Sequence, residues 1–171
     1  MAETFDAKGE ALCCAAVIRL GGATGVLAAR AGLTDGYRRI VAGVENIAAF
    51  LEGHPLDRDV VSSAFAENWF LDGKYPAQLP GRSFFRAWSD VVFVALALTL
   101  RDQPQITASL GMDSALRAAS ALPSSLHLRA YELACQQEAK VQLRESGVGE
   151  LWGLAGRQAG HYRRVVRLAD S

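Results

Sequence analysis

Lysine is nearly missing from this chain of 171 residues: 15 of its 18 basic side chains are arginine. Arginine is the better bidentate partner for carboxylate and phosphate, although genomic base composition produces the same bias. Cysteine is scarce too, at Cys13, Cys14 and Cys135. An odd number with one adjacent pair is not a disulfide framework, and no zinc-type C-x-x-C spacing occurs. Buried thiols in a reducing compartment are expected. His54, His127 and His161 stand at no spacing that pairs them with each other or with a cysteine, so no metal and no cofactor is expected. A di-iron bundle needs repeated Glu-x-x-His pairs, and none is present. Also missing are a nucleophile elbow, a dinucleotide fingerprint and a phosphate loop. The run Gly21–Gly25 (GGATG) lacks a preceding strand and the closing Lys-Ser/Thr.

Long hydrophobic runs are missing as well. Val91 to Leu98 is the longest strongly apolar run, well short of the roughly 20 residues of a membrane span. The first residues (MAETFDAKGEALCC) carry acids and no basic stretch leading into an apolar one, which argues against a signal peptide. No lipidation motif precedes Ser171. A cytoplasmic protein without a membrane partner is expected. Net charge is zero at pH 7, which excludes whole-chain attraction to nucleic acid or anionic membrane but leaves local patches open.

Half of the chain is hydrophobic and 21% is charged, enough to bury a core as a single helical domain over residues 1–171. The periodicity predicts about seven helices and no strand. Asp6–Leu20 is expected to stop at Gly21-Gly22, with a short helix Ala23–Ala31 ending at Gly32. Tyr37–Leu51 shows one clear apolar face (Tyr37, Ile40, Val41, Val44, Ile47, Ala48, Leu51), with Thr34 or Asp35 as cap and Gly53-His54-Pro55 as the stop. Asp57–Leu71 follows, then an irregular stretch, 72–83. Phe84–Arg101 is apolar nearly all round and is expected at the centre. Met112–Leu122 ends at Pro123. Ser124 opens a helix to about Glu145 that includes His127, and Gly147 separates it from a last helix, Val148–Leu168. The fold class is all-α: an irregular array around the central helix 84–101.

The last helix carries the most distinctive pattern. At 100° per residue, Val148, Trp152, Ala155, Ala159, Tyr162 and Val166 form an apolar stripe, and Gly149, Gly153, Gly156 and Gly160 form a second one about a quarter turn away. Each interior glycine costs a helix about 1 kcal/mol relative to alanine. A stripe of four suggests close approach by another backbone. Arg157, Arg163, Arg164 and Arg167 flank it, placed to hold an acidic partner or phosphates. Arg157 and His161 share a face. The all-α ribonucleases with HEPN domains use an Arg and a His on their last helix with four to six residues between them, against three here, so a solvated pair is the simpler expectation. Leu27–Asn46 has the small residue and turn glycine of a helix-turn-helix unit, yet Arg38 stands where such units bury an apolar residue. Two ordinary packed helices are expected instead.

Charge is unevenly distributed. Residues 45–72 hold six acids against Arg58 alone, a net of −5, and residues 140–167 hold six basic residues against two acids, a net of +4. Asp90 is the odd residue in the apolar helix, with Arg86 one turn before it as the expected partner. Trp69, Phe70, Tyr75, Phe84, Phe85 and Trp88 bracket the 72–83 stretch and are expected to pin it to the core. The leading expectation is a non-catalytic interaction protein: an adaptor, regulatory or inhibitor-type subunit binding a protein partner through its polarised surface, with homo-oligomerisation open. The first alternative is a nucleic-acid-binding or nucleic-acid-cleaving protein using Arg157, His161, Arg163, Arg164 and Arg167. The second is a small-molecule binder with an apolar pocket between helices.

Overall fold

A computed structural model describes residues 6–100, 103 and 105–169. Among them the chain is all-α, with seven helices and no strand: α1 (Ala7–Arg30), α2 (Thr34–Leu51), α3 (Arg58–Lys74), α4 (Arg82–Leu100), α5 (Ala108–Ser120), α6 (Leu128–Ser146) and α7 (Val148–Leu168).

Asp6 caps α1 by accepting from the Gly9 N–H at 2.9 Å. The helix then runs unbroken through Gly21-Gly22, so the two helices expected over 6–31 are one. A glycine stops a helix by taking a left-handed φ. Gly32, Gly53, Gly81 and Gly147 do so; Gly21 and Gly22 do not. Packing explains why. A Cβ on Gly22 would overlap the carbonyl oxygen of Ala159, so the pair is where α7 crosses α1 at backbone contact. The real stop is at Gly32, with φ +71°. There the Leu33 N–H reaches the Ala28 carbonyl at 2.8 Å and the Gly32 N–H reaches Ala29 at 3.3 Å, a Schellman arrangement.

Reading α1 as two pieces also hid its length. Both α1 and α4 are long and apolar enough to cross a membrane by length and composition, and most of each is buried within the fold. α4 is the expected buried helix, with Phe84, Phe85 and Trp88 fully enclosed. Arg101, its expected last residue, lies outside the described residues. α1 shares the centre with it: α2, α4, α5, α6 and α7 all pack on α1. The Trp88 indole N–H donates to the Val17 carbonyl at 3.2 Å and ties the two together.

α2 buries Ile40, Val44 and Ile47 as the periodicity requires. It begins at Thr34, and Leu33, not Thr34 or Asp35, is the capping position, without a side-chain bond. Asp57 caps α3 by accepting from the N–H groups of Asp59 and Val60 at 3.1 and 3.2 Å. That helix continues to Lys74 and shortens the irregular stretch. Tyr75 holds what remains: its hydroxyl donates to the Pro80 carbonyl at 2.7 Å, and the Arg82 guanidinium donates to the Tyr75 backbone carbonyl. The six aromatics divide. Tyr75, Phe84, Phe85 and Trp88 are buried, whereas Trp69 and Phe70 are 74% and 62% exposed on α3.

Three further expectations change. Asp90 pairs with Arg117 of α5 at 3.5 Å, not with Arg86, because α5 packs across that face of α4. α5 begins at Ala108, four residues before Met112. Ser124–Leu126 is a single 3-10 turn, and His127 takes a left-handed φ of 52° before α6 begins at Leu128. His127 is therefore a junction, not a helical residue.

Candidate functional site

The helix crossing at Gly22 shapes a cavity beside it. α1 forms the floor, and α2 and α7 form the walls, around a space of about 500 Å³. The floor is Val17, Ile18, Gly21 and Gly22; the α2 wall is Val41, Val44, Ala48 and Ala49; the α7 wall is Trp152, Gly156 and Ala159. Gly21, Gly22, Ala48, Ala49, Gly156 and Ala159 keep bulk out of part of the space. A Cβ on Gly156 would meet nothing within 4 Å. Ligand sites of small proteins typically enclose roughly 300–1,000 Å³ of mostly apolar surface with a few placed polar groups, and this one fits that description.

Its polar groups stand on the rim. Glu45 on α2, Glu52 just past the end of that helix and His54 line one side, and Arg163 lines the other from α7. The acidic and basic segments of the sequence thus line opposite walls of one groove. They do not neutralise each other directly: no ion pair joins residues 45–72 to residues 140–167 among the described residues. Tyr37 lines the cavity together with Arg163 and Glu45. Its hydroxyl donates to the Gly21 carbonyl at 2.9 Å. Burial pushes its phenol above the ordinary value, Arg163 pulls it down and Glu45 raises it further. One more polar group is unspent: the buried indole N–H of Trp152 has no hydrogen-bond partner among the described residues. A buried donor left unpaired costs about 1–3 kcal/mol.

Beyond Tyr37 the groove continues into a second recess of about 330 Å³. Gly21, Gly22, Tyr37 and Arg163 line both spaces; Arg30 and Arg167 line only the second.

Comparison with models of protein families, with curated proteins and with solved structures finds no match.

The structure separates the residues that the last helix offers. Gly156 and Arg163 line the main cavity, and Arg163 and Arg167 line the recess. Arg157, Arg164 and Gly153 are exposed, and Gly160 is half-buried; neither Gly153 nor Gly160 lines the groove. His161 turns to α6 and stacks on Tyr131, with ring centroids 4.1 Å apart. Burial and then the Arg164 charge hold its imidazole below the ordinary value. No side-chain hydrogen bond joins Arg157 to it among the described residues. Among the described residues outside their own helical turns, no atom lies within 4 Å of a Cβ placed on Gly149, Gly156 or Gly160; the backbone contact expected of that stripe is made instead by Gly22 of α1 against Ala159.

The α1 and α2 halves of the groove escaped the sequence reading. The apolar period continues across Gly21-Gly22 through Leu20, Thr24, Leu27 and Ala28, all buried. That continuity was the available signal that the glycines lie inside one helix.

Proposed function

We propose that this chain is a non-catalytic binding protein whose site is the groove between α2 and α7, and whose ligand is a small amphipathic molecule. One observation carries the reading: an apolar cavity of about 500 Å³ with its charged groups confined to the rim. An apolar tail would gain about 25 cal/mol for each Å² of surface it buries there. The cavity's charged side chains, Glu45, Glu52 and Arg163, are exposed around an apolar floor, which favours holding a ligand over transforming it.

The test is isothermal titration of the whole chain with decanol, alongside thermal unfolding. Decanol should bind at one site and raise Tm, because a ligand that binds only the folded state stabilises it. Gly156→Leu places a side chain in the open cavity and should weaken binding at least tenfold while the circular dichroism is unchanged. No binding, or equal binding by the variant, would reject the groove.

A second reading, docking of a protein partner, is favoured by Trp69 and Phe70, adjacent aromatics left exposed on α3. Exposed Trp and Tyr-like anchors dominate many interfaces. The corresponding test is affinity purification from the native host with the intact chain and with Trp69→Ser/Phe70→Ser. A stoichiometric partner held equally by both would remove this face from the interface.

A further inference from the structure

We propose that the recess beyond Tyr37 is the head-group end of the groove, and that the ligand is an amphiphile carrying a carboxylate or a phosphate. This rests on the groove being a ligand site.

The recess is bordered by Arg163 and Arg167, one turn apart on α7, and no carboxylate of the described residues lines it. Neither Arg163 nor Arg167 makes an ion pair among the described residues. Like charges gathered at one concave site repel, and an anion there relieves the repulsion while accepting their hydrogen bonds. The planar guanidinium suits this task, since it offers paired donors to the two oxygens of a carboxylate or phosphate. The remaining lining is small: Gly21, Gly22 and Gly25 keep side chains out of the space.

The main chamber has the opposite character. Glu45 and Glu52 line it and are absent from the recess. An anionic head is therefore disfavoured over the apolar floor and favoured past Tyr37. Arg163 borders both spaces, so a tail lying on Val17, Ile18 and Val44 leads directly to the arginines. The groove is polarised along its length, and that polarity orients the ligand.

The experiment titrates the intact chain by calorimetry with four probes: decanoate, monodecyl phosphate, decanol and inorganic phosphate. The expected order has one or both anionic amphiphiles at least tenfold tighter than decanol, with inorganic phosphate weakest. The preferred anion identifies which head group is held. Arg167→Gln, at a residue that borders the recess and not the chamber, should weaken the anions at least fivefold and leave decanol affinity within twofold, and raising salt should weaken the anions alone. Decanol binding as tightly as both anions would overturn this inference and leave the groove as a ligand site. Inorganic phosphate binding as tightly as the decyl compounds would overturn the link between recess and chamber. Failure of every amphiphile would overturn the groove reading and this inference with it.

Discussion

Arg19 of α1 and Glu132 of α6, 113 residues apart in sequence, form an ion pair with both side chains closed off from water. The Arg19 Nε lies 3.1 and 2.9 Å from the two carboxylate oxygens, and Nη2 lies 2.5 Å from one of them. Tyr162 of α7 donates to the same carboxylate at 2.8 Å, and Gln136 donates at 3.1 Å. Three helices therefore meet at one glutamate. Breaking one side of such a pair leaves a buried charge uncompensated, which costs about 3–5 kcal/mol. Arg19→Met should lower unfolding free energy by about that much in urea titration. Arg19→Met/Glu132→Leu should recover most of it, because replacing both charges with apolar groups is often neutral. A double variant no better than the single one would show that the network contributes more than charge compensation.

Glu10 gives the fold a pH dependence of known sign. It is fully buried on α1, accepting from the Thr99 hydroxyl at 2.6 Å and from the Cys14 thiol at 3.8 Å. Burial raises its carboxyl from 4.5 to about 8, against the lowering effect of the Thr99 and Cys14 hydrogen bonds. The folded state thus holds a proton that the unfolded chain releases at ordinary carboxylate pH. Its stabilising contribution is complete below about pH 4.5 and is lost as pH rises through about 8. Urea midpoints of the natural chain should include a fall over that window, and Glu10→Gln should remove the fall. Parallel curves for the two proteins would contradict the assignment.

The glycines make opposite predictions by position. Gly22→Ala forces a methyl group into the Ala159 carbonyl, a backbone atom that cannot move aside easily. Overpacking of this kind costs about 1–3 kcal/mol or more. Gly160→Ala meets open space and should add about 0.4–1 kcal/mol by reducing the freedom of the unfolded chain. Thermal unfolding of the two single variants should move Tm in opposite directions.

All three cysteines are buried and unpaired. Burial is the first cause raising each thiol, with nearby Glu10 adding to it at Cys13 and Cys14, and Cys135 reaches about 11. The thiolate is the reactive form. At pH 8 a thiol reagent should therefore label the folded chain at least a hundredfold more slowly than the chain in urea. Rapid labelling of any one cysteine would show that its helix opens locally.

Much of the fold was legible because the deciding signals are local. The α2 apolar face, the start of a helix at Asp57 and the stops at Gly32, Gly53 and Gly147 each depend on a few neighbouring residues. What escaped is long-range. Gly21-Gly22 has the composition of a stop, and only the arrival of α7 shows that it serves a crossing. Asp90 has Arg86 in reach along its own helix and takes Arg117 because α5 packs there. Arg163, Arg167 and Gly156 could be singled out on one helix, but not the α1 and α2 residues that turn them into the walls of a groove. Arg19, alone in an apolar run, had no visible partner until α6 brought Glu132 to it.

The crossing at Gly22 also bears on how the chain is made. More than a hundred residues separate α1 from α7. At about 5–20 residues per second on the ribosome, α1 waits on the order of 6–25 s for the helix that covers its glycine face. Throughout that interval one of the most apolar segments of the chain is synthesised but incompletely enclosed. Slowing elongation between Arg30 and Val148 would lengthen that exposure, and with it the demand for chaperones that shield apolar helices until their partner emerges.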